Sequence, residues 1–172
     1  DLPKDTVTIN GKPADTKIAD RLSKHLDLIR ALAKSNLKAN VSSEINFPMS
    51  AGLASSASAS ASLTLAACDA LGLQLDKKQL SIIARQGSGS SCRSIYGGYV
   101  KWLKGNNSND SYAVQIANEN YFDMHDIIAI VSKEPKQISS RDAMKITVDT
   151  SKMYKFRLEH VERSIKEMED AI

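Results

Sequence analysis

Two stretches of the chain concentrate glycines, small hydroxyl side chains and one arginine at spacings that suit an anionic ligand. The first, Pro48 to Ser62, reads PMSAGLASSASASAS. Upstream of it Leu37, Ala39, Val41, Ser43, Ile45 and Phe47 alternate with polar residues as a half-buried strand does, and Pro48 stops the alternation. Downstream, Ala57 to Leu71 contains no Gly or Pro, Leu63, Ala66, Ala67, Ala70 and Leu71 recur at helical spacing, and Gly72 supplies a stop. The stretch therefore opens a helix. The first turn of a helix presents N–H groups without intrahelical partners at the positive end of the macrodipole, which stabilises an anion. Gly52 permits close backbone approach, Ala54, Ser55, Ser56 and Ala57 leave room for phosphate, and Ser55 and Ser56 can donate hydrogen bonds. A Ser/Ala-rich helix packed closely on a sheet, its serines bonded to the preceding turn, fits the same residues. The Walker and dinucleotide fingerprints are both excluded, because neither Gly-Lys-Ser/Thr nor the spaced glycine triplet is present.

The second stretch, Gly87 to Gly98, reads GSGSSCRSIYGG. It follows an amphipathic segment from Asp76, an N-cap whose box Gln79 completes, to Gln86. Ser88, Ser90 and Ser91 are small donors, and Arg93 offers a planar fork matched to carboxylate or phosphate. Gly87, Gly89, Gly97 and Gly98 would let the backbone approach a ligand. A flexible loop with a solvated arginine also fits this stretch taken alone, but two such segments in one short chain are unusual.

The elements that must hold these segments read as an α+β domain, a sheet covered by helices. Asp5 to Ile9 forms a strand turning at Asn10-Gly11, and Ile18, Leu22, Leu26, Ile29, Leu32 and Ala33 mark an amphipathic helix. Strands are expected over Gly98 to Leu103, Tyr112 to Ile116 and Ile127 to Val131. Leu158, Val161, Ile165, Met168 and Ile172 give a last helix an apolar stripe that is still core-facing at the final residue, so the chain reads as a fragment. With 42% hydrophobic and 25% charged residues, the chain has a globular composition. A net charge of +3 without a basic block argues against a nucleic-acid partner, and no apolar run is long enough for a membrane span. Cys68 and Cys92 read as free thiols. His25, His125 and His160 lack ligand spacing and read as surface or cap residues, so no metal site made of side chains is expected.

Pro48 to Ala57 resembles the phosphate loop of the GHMP family of small-molecule kinases, Pro-x-x-x-Gly-Leu-x-Ser-Ser-Ala, although most of those kinases carry Gly where this chain has Ala54. FPMSAGLASSAS together with ARQGSGSSCRSIYGGYVKW narrows the resemblance to the mevalonate diphosphate decarboxylase branch and its archaeal relatives, and KQISSRDAMKITVDTS resembles that branch's Ser/Arg turn. The resemblance implies a GHMP-type N-terminal domain, ribosomal protein S5 domain 2-like, over residues 1–150, with 151–172 beginning a C-terminal domain. It implies a cytoplasmic homodimer that uses ATP and Mg2+ to convert mevalonate 5-diphosphate to isopentenyl diphosphate. Ala51, Gly52, Leu53, Ala54, Ser55, Ser56 and Ser58 would hold the nucleotide phosphates, and Ser88, Ser90, Arg93, Ser140 and Arg141 the substrate, with Arg93 orienting its carboxylate. The family's catalytic Asp lies in a later motif that matches nothing here, so Asp123, Asp142 and Asp149 are given no such role. ATP-independent decarboxylation of mevalonate 3,5-bisphosphate, a GHMP kinase and a non-catalytic phosphometabolite-binding module remain open.

Overall fold

The computed structural model describes residues 2–47, 53–129, 131 and 138–172. It divides into two compact units, residues 1–125 and 126–172, and the boundary expected at residue 150 falls inside the second.

The first unit is built around one short mixed sheet. β1 (Thr6–Ile9) turns through Asn10 and Gly11, both at positive φ, into β2 (Lys12–Pro13), which pairs with it antiparallel. α1 (Thr16–Ala33) follows, its first turn capped by Asp15, whose carboxylate accepts the Lys17 N–H at 2.9 Å. The crossover returns the chain parallel to β1 as β3 (Asn40–Ser43), with Val7 opposite Val41. The sheet order is β2-β1-β3. β3 is shorter than the alternation from Leu37 to Phe47 suggested, because backbone pairing reaches only as far as the four-residue β1 does. Asn10 prolongs the link beyond the strand: its side-chain amide donates to the Ile45 carbonyl at 3.2 Å and its oxygen accepts the Ile45 N–H at 2.7 Å. The chain is thus held in line as it approaches residues 48–52.

α2 (Ser55–Ala70) and α3 (Lys77–Gly87) pack with α1 on the sheet, and the core they share contains Val7, Leu22, Leu26, Ile29, Leu63, Ala67, Cys68 and Ile83. The face of α2 that is buried runs through Ala57, Ser60, Ala61, Thr64, Ala67 and Cys68, whereas Ala66 and Ala70, expected on it, are exposed. Small residues along that face let α2 lie close to its neighbours. α3 begins with the expected capping box: Asp76 accepts from Gln79 N–H at 2.7 Å and Gln79 Oε1 accepts from Asp76 N–H at 2.9 Å. The Gly/Ser stretch is not a loose loop. Residues Gly89–Ile95 wind as a 3-10 helix before the antiparallel hairpin β4 (Tyr99–Trp102) and β5 (Ala113–Ala117).

The expected strand over Ile127 to Val131 does not form among its described residues; Ile127 and Val131 are almost fully exposed, and β-branched side chains without a strand to pair with do not hold an extended ladder. The second unit contains α4 (Ser140–Thr150) and α5 (Met153–Ala171). Ser139 caps α4, accepting the Asp142 N–H at 3.1 Å. The apolar stripe from Leu158 to Met168 lies on α5, with Ile172 just past its end; neither helix contains a buried residue, so the stripe expected to face a core is uncovered here.

Candidate functional site

Ala54 sits in the left-handed region, φ +50°, immediately before α2, where it turns the chain into the helix. Its methyl group cannot cap. Its carbonyl accepts the N–H groups of Ala57 at 2.9 Å and Ser58 at 3.3 Å, while no described side chain caps the N–H groups of this end. The helix therefore presents uncapped donors and its positive dipole end beside the hydroxyls of Ser55 and Ser56. Deeper in α2 the serines behave as the alternative reading supposed: Ser62 Oγ donates to the Ser58 carbonyl at 3.0 Å and Thr64 Oγ1 to that of Ser60 at 2.7 Å. Of the residues expected to hold nucleotide phosphates, Ala51 and Gly52 lie outside the described residues. Leu53 and Ser55 are half-buried, and Ala54, Ser56 and Ser58 are exposed.

The two hydroxyl-rich segments meet. Ser56 Oγ lies 3.3 Å from Ser88 Oγ, on the solvent side, joining the first turn of α2 to the residue that ends α3. Beyond Ser88 the 3-10 helix sorts its residues sharply. Ser91 and Cys92 are buried; Ser91 Oγ donates to the Ala84 carbonyl at 2.6 Å and also lies against the Ser88 carbonyl, so this serine, expected as a ligand donor, belongs to the scaffold. Ser81 Oγ donates to the Cys92 carbonyl at 3.0 Å and accepts the Ala113 N–H at 2.9 Å, tying the segment to β5. Ser90 is half-buried and Arg93 exposed, and no described residue pairs with the Arg93 guanidinium. Ser140 and Arg141 lie exposed on the first turn of α4, in the second unit.

The glycines have an internal reason rather than the expected ligand-facing one. A Cβ at Gly87 would come within 2.7 Å of Ser60 Oγ and 3.0 Å of His25 Nδ1, and one at Gly98, where φ is +68°, within 2.4 Å of the Ala117 carbonyl oxygen. At Gly89 it would meet the Trp102 ring at 3.1 Å, and at Gly97 the Glu119 carboxylate at 3.5 Å. Close protein neighbours thus fill the space a side chain would take at Gly87, Gly89 and Gly98, whereas the approach at Gly97 is an ordinary contact that leaves room for one.

His25 departs from expectation. It is not a surface histidine: only 3% exposed, it stands between α1, α2 and α3. Its Nε2 is 2.8 Å from Thr64 Oγ1. The single Thr64 hydroxyl proton goes to the Ser60 carbonyl, so Nε2 must donate and Nδ1 keeps a lone pair, which no described group satisfies. Burial pushes the His25 pKa down, in keeping with this neutral tautomer. Its spacing held the signal: three residues after Leu22 and four before Ile29, His25 falls on the apolar face of α1 rather than on its surface. His125 and His160 are exposed as expected. Cys68 and Cys92 are free and buried, and burial raises both thiol pKa values.

Among the described residues no three or more His, Cys, Asp or Glu side chains group to hold a metal, and no helix is long and apolar enough to cross a membrane. What the first unit does contain is an uncapped helix start, two serine hydroxyls in contact and an exposed guanidinium, groups that can donate to an anion.

The same segments carry the similarity to known proteins. Residues 1–113 match the family model of the diphosphomevalonate decarboxylase-like N-terminal domain, and residues 126–172 that of the mevalonate 5-diphosphate decarboxylase C-terminal domain. The diphosphomevalonate decarboxylase of Ganoderma lucidum is 39% identical over 173 residues, which cover 92% of this chain and 43% of that protein. The crystal structure of mevalonate diphosphate decarboxylase from Staphylococcus aureus superposes with a TM-score of 0.85 at 36% identity, over 99% of this chain and 52% of that one. A structure of MDDEF in complex with MVAPP, AMPPCP and magnesium gives a TM-score of 0.83, also at 36% identity, over 99% and 52% of the two chains. The chain thus spans roughly half the length of these relatives. Because the first match takes in both hydroxyl-rich segments and well over half the residues, the chain belongs to the diphosphomevalonate decarboxylase family.

Proposed function

We propose that the protein containing this chain is an ATP-dependent diphosphomevalonate decarboxylase, which phosphorylates the tertiary 3-hydroxyl of mevalonate 5-diphosphate and then releases phosphate and carbon dioxide to give isopentenyl diphosphate. The observation that carries this reading is the approach of Ser56 to Ser88 at 3.3 Å, which brings a helix start suited to nucleotide phosphates beside a segment suited to a phosphorylated carboxylic acid. In this reading Ala51 to Ser56 and Ser58 surround the nucleotide phosphates. Ser88 and Ser90 donate to the substrate's anionic groups and the Arg93 fork orients its carboxylate. Magnesium would arrive with the nucleotide, whose phosphates it bridges.

The chemistry asks for donors at these places. A tertiary hydroxyl leaves poorly until it is phosphorylated. Charge on the transferring phosphoryl group is stabilised by fixed N–H dipoles that need no reorganisation. Departure of phosphate leaves positive charge developing at the tertiary carbon; the new double bond takes its electron pair from the carbon–carbon bond that joins the carboxylate to the neighbouring methylene, which breaks as carbon dioxide leaves. Fixing the carboxylate in Arg93's plane aligns that bond for cleavage. Free buried thiols suit a reducing, cytoplasmic compartment, and we place the enzyme there as a homodimer, which sedimentation of the purified protein tests.

The complete gene product, given mevalonate 5-diphosphate, ATP and magnesium, is expected to release carbon dioxide, ADP and inorganic phosphate in equal amounts, and to do nothing without ATP. Carbon dioxide release from mevalonate 3,5-bisphosphate without nucleotide, with none from mevalonate 5-diphosphate plus ATP, would overturn the proposal.

A further inference from the structure

Gly89 separates the two serines, Ser88 and Ser90, that the proposed function assigns to the substrate. No positive φ demands a glycine there. The demand comes from Trp102: a Cβ at residue 89 would lie 3.1 Å from Cη2 and 3.6 Å from Cζ3, so the six-membered edge of the indole rests against the Gly89 backbone. The other edge of the ring is anchored. Trp102 Nε1 donates to Ser111 Oγ at 3.0 Å, and that hydroxyl, having accepted, donates its own proton to the Leu103 carbonyl at 3.1 Å. Ser111 is 6% exposed, and its carbonyl accepts from Arg85 Nε at 2.9 Å. Arg85 also donates to the Ser108 carbonyl at 2.9 Å and hydroxyl at 2.6 Å, fixing the β4–β5 hairpin to α3. The indole is therefore a strut with one end fixed in the hairpin and the other set against the peptide that carries both serines.

Burial of the ring does not explain the choice of tryptophan, because Trp102 stays 37% exposed. Its reach does. An indole spans from Ser111 to Gly89 while its N–H prevents rotation about the ring bond, whereas a phenyl ring lacks both the length and the anchor. Ser88 and Ser90 have short side chains and cannot correct for a displaced backbone, so a shift at Gly89 passes directly to the donated hydrogen bonds. We propose that Trp102 is a positioning residue for the substrate-facing serines, acting through Gly89 and touching no ligand itself; the inference rests on the proposed function of the same segment.

The test measures the complete gene product and its Trp102→Ala and Trp102→Phe variants with mevalonate 5-diphosphate, ATP and magnesium, together with urea unfolding of each. The KM for mevalonate 5-diphosphate is expected to rise about tenfold in Trp102→Ala, equivalent to about 1.4 kcal/mol, while the KM for ATP changes by less than about twofold. Trp102→Phe should recover part of the loss. Gly89→Ala should also raise the substrate KM in the parent protein, and less so in the Trp102→Phe background, where the shorter ring makes room for the methyl group. Mevalonate 5-diphosphate should change the tryptophan fluorescence of the parent protein by more than that of Trp102→Phe, the difference reporting Trp102 itself. A Trp102→Ala variant with both KM values unaltered overturns the inference alone, as does equal worsening of both KM values with a lowered unfolding midpoint, which would mark a merely structural ring. Absence of turnover in the parent protein overturns the function beneath it and the inference with it.

Discussion

Arg30 and Arg93 carry the same guanidinium into opposite surroundings. Arg30, on the last turn of α1, is 6% exposed and meets Asp5 with Nη1 at 3.1 Å and Nη2 at 2.9 Å, and Asp27 at 2.6 Å. Asp5 accepts in turn from the Ala39 N–H at 2.8 Å and from the Ser23 hydroxyl. Burial by itself would raise the Asp5 pKa; the Arg30 and Ser23 hydrogen bonds, the Ala39 N–H and the Arg30 charge outweigh it and bring the group down to about 2. The corner where β1, α1 and the entry to β3 meet is therefore a closed network. Around Arg93 the scaffold groups are satisfied within the protein, Ser81 donating to the Cys92 carbonyl and Ser91 to the Ala84 carbonyl, while Arg93 itself is exposed with no described partner. A partnered arginine fixes a fold; one held in place by its neighbours but without a counter-charge is available to an anion.

Arg30→Met should break the first half of this comparison most severely. Removing one member of a buried pair leaves Asp5 charged and poorly compensated, a loss of about 3–5 kcal/mol in urea unfolding at neutral pH. The pH profile sharpens the result. The folded pKa of Asp5 is depressed, so its contribution is fully present above the unfolded value near 3.8 and is lost as pH falls towards about 2, roughly 2 kcal/mol in all. In Arg30→Met that acid-dependent loss should shrink, because much of the lowering has gone. An unfolding midpoint within experimental error of the parent would show that the network contributes nothing.

Arg93→Lys should give the reverse pattern. The charge stays but the bidentate fork is lost, so kcat/KM of the complete enzyme should fall at least about tenfold, about 1.4 kcal/mol, with the urea midpoint unchanged. Parent-like kinetics would remove Arg93 from the site, and a large stability loss would show that it belongs with Arg30 as part of the scaffold.

The contrast also bears on what could be read beforehand. Local signals were legible: the Asp76–Gln79 box opens α3, the Asn10-Gly11 turn joins β1 to β2, and the Ala54–Ser56 junction opens a helix. The α+β class followed from their order and is what the structure shows. Features set by distant partners were not. The glycines of the second segment looked like room for a ligand because nothing in the sequence brings Trp102 to Gly89 or Ser60 and His25 to Gly87. His25, expected at the surface, has the phase with Leu22 and Ile29 that marks the apolar face of α1; only its partner, Thr64 on another helix, was out of reach of the sequence. The strand expected over Ile127 to Val131 rested on β-propensity, which needs a neighbouring strand to act. The meeting of Ser56 with Ser88 was invisible to periodicity, since it depends on how α2 and α3 pack.

A smaller test separates the two regions through their backbones. Lys34 and Ala54 both lie at φ +50°, Lys34 closing α1 beside the Arg30 network and Ala54 opening α2 beside Ser56. For an L-residue the left-handed region costs about 1 kcal/mol, and glycine removes that cost while giving back some of it through a more flexible unfolded chain. Lys34→Gly and Ala54→Gly should therefore each stabilise the protein by only about 0.5 kcal/mol. Their effects on function should differ. Lys34 follows a helix end whose last turn is already fixed, its own N–H bonded to the Ala31 carbonyl at 3.4 Å, so turnover should not change. Ala54 restricts the backbone at the start of an uncapped helix, and glycine there loosens the N–H groups that the proposed function aims at phosphate, so the KM for ATP should rise by about twofold. The same stability gain in both variants with no change in ATP affinity would make Ala54 an ordinary turn residue, and would leave the Ser55 and Ser56 hydroxyls to hold the nucleotide end of the site without a preorganised backbone.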